Sequence, residues 1–116
     1  MRRTLVTTGL FFVFALVSSA GIATAQDAAL VKKGQEIYTA QKCSVCHAIA
    51  GKGGKANPLD GVGAKLSAED IRQWIVSPAE ATAKAKSTKK PPMPAKYGSL
   101  AAGDLDALVA YMQSLK

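Results

Sequence analysis

The chain is short of nearly everything from which site chemistry is usually built. Among its 116 residues are two cysteines, one histidine, one tryptophan and eight acids. A zinc centre wants four ligands, and two cysteines with one histidine cannot complete it without carboxylates. No run alternates apolar with polar residues as a half-buried strand does, which leaves an all-α reading. No internal repeat is visible. The longest apolar run, Leu5 to Val17, is shorter than the ~20 residues that span a bilayer.

That run has a purpose of its own. The chain opens MRRTLVTTGLFFVFALVSSAGIATAQ. Arg2 and Arg3 supply a positive start, and Ala23-Thr24-Ala25 is a small-x-small cleavage site. This is the layout of a secretory signal peptide over residues 1–25, which predicts export, most simply to a periplasm, and no stable membrane insertion after cleavage. An uncleaved anchor is the alternative. Cleavage leaves one domain, residues 26–116, with 91 residues. A domain this small buries little more than half of its unfolded surface, so a buried cofactor or metal often helps to stabilise it. It keeps 12 lysines and Arg72 against 8 acids, a net charge of +5. Such a basic surface suits an acidic protein, an anionic lipid or a nucleic acid. No nucleic-acid motif is present, and export points away from that partner.

Helical patterns flank a glycine-rich middle. From Asp27, the residues Leu30, Gly34, Ile37 and Tyr38 share one face of a helix running to about Lys42. Gly34 on that inner face costs about 1 kcal/mol relative to alanine, which points to another helix crossing at close range. GKGGKANPLDGVG, Gly51 to Gly63, reads as irregular. Ser67-Ala68-Glu69-Asp70 opens a second helix with Ile71, Trp74 and Ile75 on one face and Pro78 just past its end. Ala81 to Pro94 reads as a basic segment entering a proline-bracketed loop. From about Ala102, a last helix carries Leu105, Leu108, Val109, Met112 and Leu115 as a stripe, with Tyr111 on its flank.

The chemistry gathers in Cys43-Ser44-Val45-Cys46-His47. The pattern C-x-x-C-H attaches a c-type haem: two thiols one turn apart form thioethers with the porphyrin vinyls, and the adjacent histidine meets the iron. Export agrees with attachment outside the cytoplasm. A redox disulfide is the other use of this spacing, but it wants a preceding strand and a βαβ pattern.

A sixth iron position then remains for one of two methionines. Met112 lies on the apolar stripe of the last helix, where core packing accounts for it. Met93 lies in Pro91-Pro92-Met93-Pro94, whose prolines fix φ and stiffen the loop. A stiff loop suits a thioether held against iron, so Met93 is the expected axial ligand. A methionine merely packing a turn is the plainer reading.

Together these features resemble a class I bacterial cytochrome c, mono-haem and soluble. The resemblance covers most of residues 26–116: Gly34-x-x-x-Tyr38 ahead of CSVCH, Leu59-Asp60-Gly61, Pro92-Met93-Pro94 and a terminal Leu-x-Ala-Tyr-Met helix. It implies an all-α fold of three to five helices with long loops around one covalent haem. The first and last helices would cross near perpendicular, a small residue on one against an aromatic on the other. It also implies a carbonyl that accepts from the ligand histidine's Nδ1–H. The family often has Pro-x-Leu-x-Gly there. Here the order is Asn57-Pro58-Leu59-Asp60-Gly61, so either the Asn57 or the Pro58 carbonyl is a candidate.

The implied function is one-electron transfer through haem held by His47 and Met93, without enzyme activity. Trp74 and Tyr97 are candidates for hydrogen bonds to a haem propionate, as in some relatives, with core packing the equal alternative. Lys84, Lys86, Lys89 and Lys90 would steer redox partners with acidic docking surfaces if they ring the haem edge, or else form a plain solvated run. Two other functions share the motif: a five-coordinate haem c protein that binds ligands or acts as a peroxidase, and the haem subunit of an exported dehydrogenase.

Overall fold

The computed structural model describes residues 20–116, with only the backbone described over 20–26. The signal segment therefore lies outside the described residues, apart from backbone at its end. The first helix, α1 (Ala20–Ala40), begins upstream of the expected Asp27. A 3₁₀ turn (Cys43–Val45) follows, then β1 (His47–Ile49), β2 (Lys52–Gly53) and β3 (Asn57–Pro58). The chain continues through α2 (Val62–Lys65), α3 (Ala68–Val76), α4 (Pro78–Lys84), a second 3₁₀ turn (Ala95–Ser99) and α5 (Ala102–Ser114). The all-α expectation holds, with helices carrying the architecture.

The packing of α1 against α5 is the most extensive between any two elements. Gly34 is buried in it, and a Cβ built there would overlap the Ala107 carbonyl and lie 2.6 Å from Tyr111 Cβ. Only glycine lets the two backbones approach this closely. One turn further on, Tyr38 meets Tyr111 edge to face, with ring centroids 5.7 Å apart and planes at 77°. Around this crossing the core collects Tyr38, Ile71, Ile75, Leu105, Leu108, Val109 and Met112. Each such buried apolar side chain contributes roughly 2 kcal/mol by removal from water.

The glycine-rich middle is more regular than its composition suggested. Strand β1 pairs antiparallel with β2 (Ala48 opposite Gly53) and parallel with β3 (His47 opposite Asn57). Strands of two and three residues are too short to show alternation, so periodicity could not reveal them. Gly53 has φ +111°, and any side chain there would strike the His47 carbonyl. Asp60 Oδ1 accepts from the Ala50 amide at 2.8 Å, and the Leu59 amide donates to Ala48 O at 2.8 Å. The loop is thereby pinned against the segment that carries His47.

Helix α3 starts as expected: Ser67 Oγ accepts from the Asp70 amide at 3.1 Å, a cap contributing about 1 kcal/mol. Pro78 lies past its end, as expected, and also opens α4. Proline suits the first helical position, where its missing N–H is not needed, so part of the expected basic loop is helical. Exposed ion pairs join neighbouring helices: Lys33–Asp104, Arg72–Asp106 and Lys84–Asp70. The Lys84 ammonium and the Ser67 hydroxyl hold the Asp70 carboxyl below its usual range, and Asp70 raises Lys84 in turn.

The chain's end is fastened too. The Gly63 amide donates to Leu115 O at 2.8 Å, Gln113 Nε2 to Leu66 O at 2.8 Å, and Lys116 Nζ to Gly63 O at 2.9 Å.

Candidate functional site

Helix α1 ends where Lys42 takes the left-handed conformation, φ 56°. That reversal delivers Cys43 into the 3₁₀ turn, whose Cys46 amide donates to Cys43 O at 3.2 Å. In a 3₁₀ turn, side chains at i and i+3 eclipse, so both thiols project to one side. Both cysteines are free thiols, with Cys43 half-buried and Cys46 exposed. Burial pushes the Cys43 thiol up, opposite to the depressed value of a redox-active dithiol. Among the described residues no cluster of three or more His, Cys, Asp or Glu could hold a metal ion, so the zinc reading finds no missing ligand here.

His47 is held at both ends. Its carbonyl accepts from Tyr38 Oη at 3.2 Å, and its Nδ1 stands 3.0 Å from Asn57 O. A carbonyl can only accept, so this bond places the proton on Nδ1 and leaves the Nε2 lone pair free. Asn57, rather than Pro58, therefore supplies the carbonyl facing the ring, which accounts for the displaced proline: β3 pairs His47 with Asn57. Burial pushes the Tyr38 hydroxyl up to about 12, helped by Cys43 and Tyr111, so it stays a proton donor at neutral pH.

One cavity of about 700 Å³ brings the singled-out residues together. Cys43, Cys46, His47, Asn57, Pro58, Trp74, Met93 and Tyr97 all line it, and its floor is apolar, with Leu59, Leu66, Ile71, Ile75 and Leu108. That volume lies in the ~300–1,000 Å³ range of pockets that enclose sizeable ligands. Met93 is half-buried and packs on the core cluster from the coil between α4 and the second 3₁₀ turn. Met112, at 6 % exposure, belongs to the core itself but also reaches the cavity wall. Among the described residues, Trp74 Nε1 and Tyr97 Oη have no protein hydrogen-bond partner, while Lys96 Nζ sits 5.1 Å from the Tyr97 ring centroid.

The lysines separate into two groups. Of Lys84, Lys86, Lys89 and Lys90 only Lys89 lines the cavity, together with Lys42 and Lys96, and Lys84 turns to Asp70. Sequence reasoning did not single out Lys42 and Lys96. Their position next to Cys43 and Tyr97 was the available signal.

An apolar cavity with two thiols on one side of a turn and an imidazole offering Nε2 fits a covalently attached haem. No curated protein and no solved structure matched the chain. The family model described as Cytochrome c matches residues 31–116, nearly the whole of the helical domain. The chain belongs to the cytochrome c family and, with it, carries covalently bound haem c.

Proposed function

We propose that this haem-binding electron carrier works as an exported, six-coordinate carrier, with Cys43 and Cys46 as the thioether anchors and His47 and Met93 as axial ligands. The observation carrying this reading is that His47, with Nδ1 engaged by Asn57, shares its cavity with a methionine on a proline-stiffened segment. When bound, haem supplies a one-electron Fe(II)/Fe(III) couple, and a thioether ligand favours the reduced form. The protein's residues hold positions. Asn57 and Tyr38 fix the imidazole plane and its backbone, the three prolines limit the travel of Met93, and the apolar floor excludes water. Trp74 Nε1 and Tyr97 Oη are the donors assigned to the propionates. No helix among the described residues is long and apolar enough to cross a membrane.

Absorption spectra of haem-loaded protein test this reading. Sharp reduced bands surviving acid–acetone extraction, with a long-wavelength Met–Fe(III) band when oxidised, are expected. Met93→Ala loses that band, opens the reduced protein to carbon monoxide and lowers the potential by on the order of 0.2 V, within the ~0.8 V that axial ligation spans. Met112→Leu keeps all three properties. A band surviving in Met93→Ala removes Met93 from the iron, and a wild type without the band moves ligand binding or peroxidase chemistry to the front.

Lys42, Lys89 and Lys96 at the cavity mouth favour acidic redox partners. Electron transfer to an acidic redox protein is expected to slow about tenfold from 0.01 to 0.15 M ionic strength, as the Debye length falls from ~30 to ~8 Å. A flat salt profile eliminates steering.

A further inference from the structure

The segment between α4 and the second 3₁₀ turn has few backbone hydrogen bonds of its own. Pro91, Pro92 and Pro94 lack an amide hydrogen, so this stretch cannot build a hydrogen-bonded ladder. Yet it carries Met93. Across the cavity mouth, Lys89 Nζ donates to the Ala56 carbonyl at 2.8 Å, joining positions 33 apart. Ala56 immediately precedes Asn57, whose carbonyl faces His47 Nδ1. Among the described hydrogen bonds this is the one that ties the Met93 segment to the loop bracing His47. Lys89 takes part in none of the three ion pairs described above.

We infer that Lys89 is a positioning residue that clasps the two axial-ligand segments together and keeps small ligands from displacing Met93. The inference rests on Met93 being the axial ligand. Breaking the clasp lets the Met93 segment swing outward more often. An external base then competes for the iron more successfully, because its apparent affinity scales with the open fraction.

The test is titration of oxidised, haem-loaded protein with imidazole at pH 8, followed through loss of the long-wavelength band. Imidazole is mostly neutral at that pH, so a lost lysine charge has little direct effect on its binding. Lys89→Ala is expected to bind imidazole about threefold more tightly, the scale of one exposed hydrogen bond. Lys90→Ala removes an adjacent charge without the bond and should match wild type, and Lys89→Arg should restore it. Thermal melts of the alanine variants should coincide, which separates local opening from global loss of stability. Equal imidazole affinity in Lys89→Ala and Lys90→Ala overturns the clasp. Met93→Ala tells the two failures apart. If it binds far more tightly than wild type while Lys89→Ala does not, the clasp alone is wrong. If it binds no more tightly than wild type, the axial assignment fails and takes the clasp with it.

Discussion

Replacing Gly34 with alanine should lower the melting temperature of the haem-loaded protein by roughly 10–25 °C, from a loss of about 2–4 kcal/mol. Two effects oppose each other. Alanine is the better helix former by about 1 kcal/mol, which alone would stabilise α1. Its Cβ, however, would overlap the Ala107 carbonyl and crowd Tyr111 Cβ. The first obstacle is backbone in the middle of a helix, so no rotamer change relieves it. The helices must separate, and the edge-to-face contact of Tyr38 with Tyr111 loosens with them. Steric overlap wins. Gly103→Ala is the matched control, because a Cβ there meets only the flexible Lys33 ammonium at 3.7 Å. Its melting temperature should hold or rise slightly. A Gly34→Ala protein as stable as Gly103→Ala would mean that the α1–α5 crossing is looser than described.

The second large effect concerns the cofactor. Protein carrying Cys43→Ser and Cys46→Ser, stripped of haem by acid–acetone, should show no cooperative melt and a much reduced helical signal. The magnitude follows from the cavity. An enclosed dry cavity costs on the order of 24 cal/mol per Å³, so one of about 700 Å³ would approach 17 kcal/mol. That equals or exceeds the whole stability of an ordinary domain, about 5–15 kcal/mol. The mouth is open and water enters, which lessens the penalty, but the apolar floor of Leu59, Ile71, Ile75 and Leu108 is then wetted instead. Either way the core loses one wall. Circular dichroism during heating decides the matter, and a sharp transition near that of the haem-loaded protein would show that the helices support themselves.

How far the sequence disclosed this molecule depended on range. CSVCH was legible because its chemistry is local: thiols and imidazole act at fixed short spacing. The stripe of α5 and the Ser67 cap were legible because helices write their periodicity and their start signals into adjacent residues. Helix α4 is not legible because a proline past one helix end does not announce the start of the next, although its missing N–H serves equally well there. The short strands were invisible because two residues hold no period, and their pairing is set by the turn at Gly53 and the bonds of Asp60 and Leu59. The choice between Asn57 and Pro58 needed the β1–β3 register, a long-range fact. The clasp from Lys89 to Ala56 joins two loops, and no local pattern announces such a bond.

The fastening of the chain's last residues also has a consequence for timing. Gly34 meets Ala107, and Gly63 holds Lys116 from 53 positions away. A polypeptide emerging amino end first therefore exposes Cys43 and Cys46 long before the helix that completes their surroundings exists. Until the final turn is delivered, α1 has nothing to cross and the cavity has no back. The thiols stay uncovered on that side until α5 arrives, and the order of residues along the chain acts as the clock.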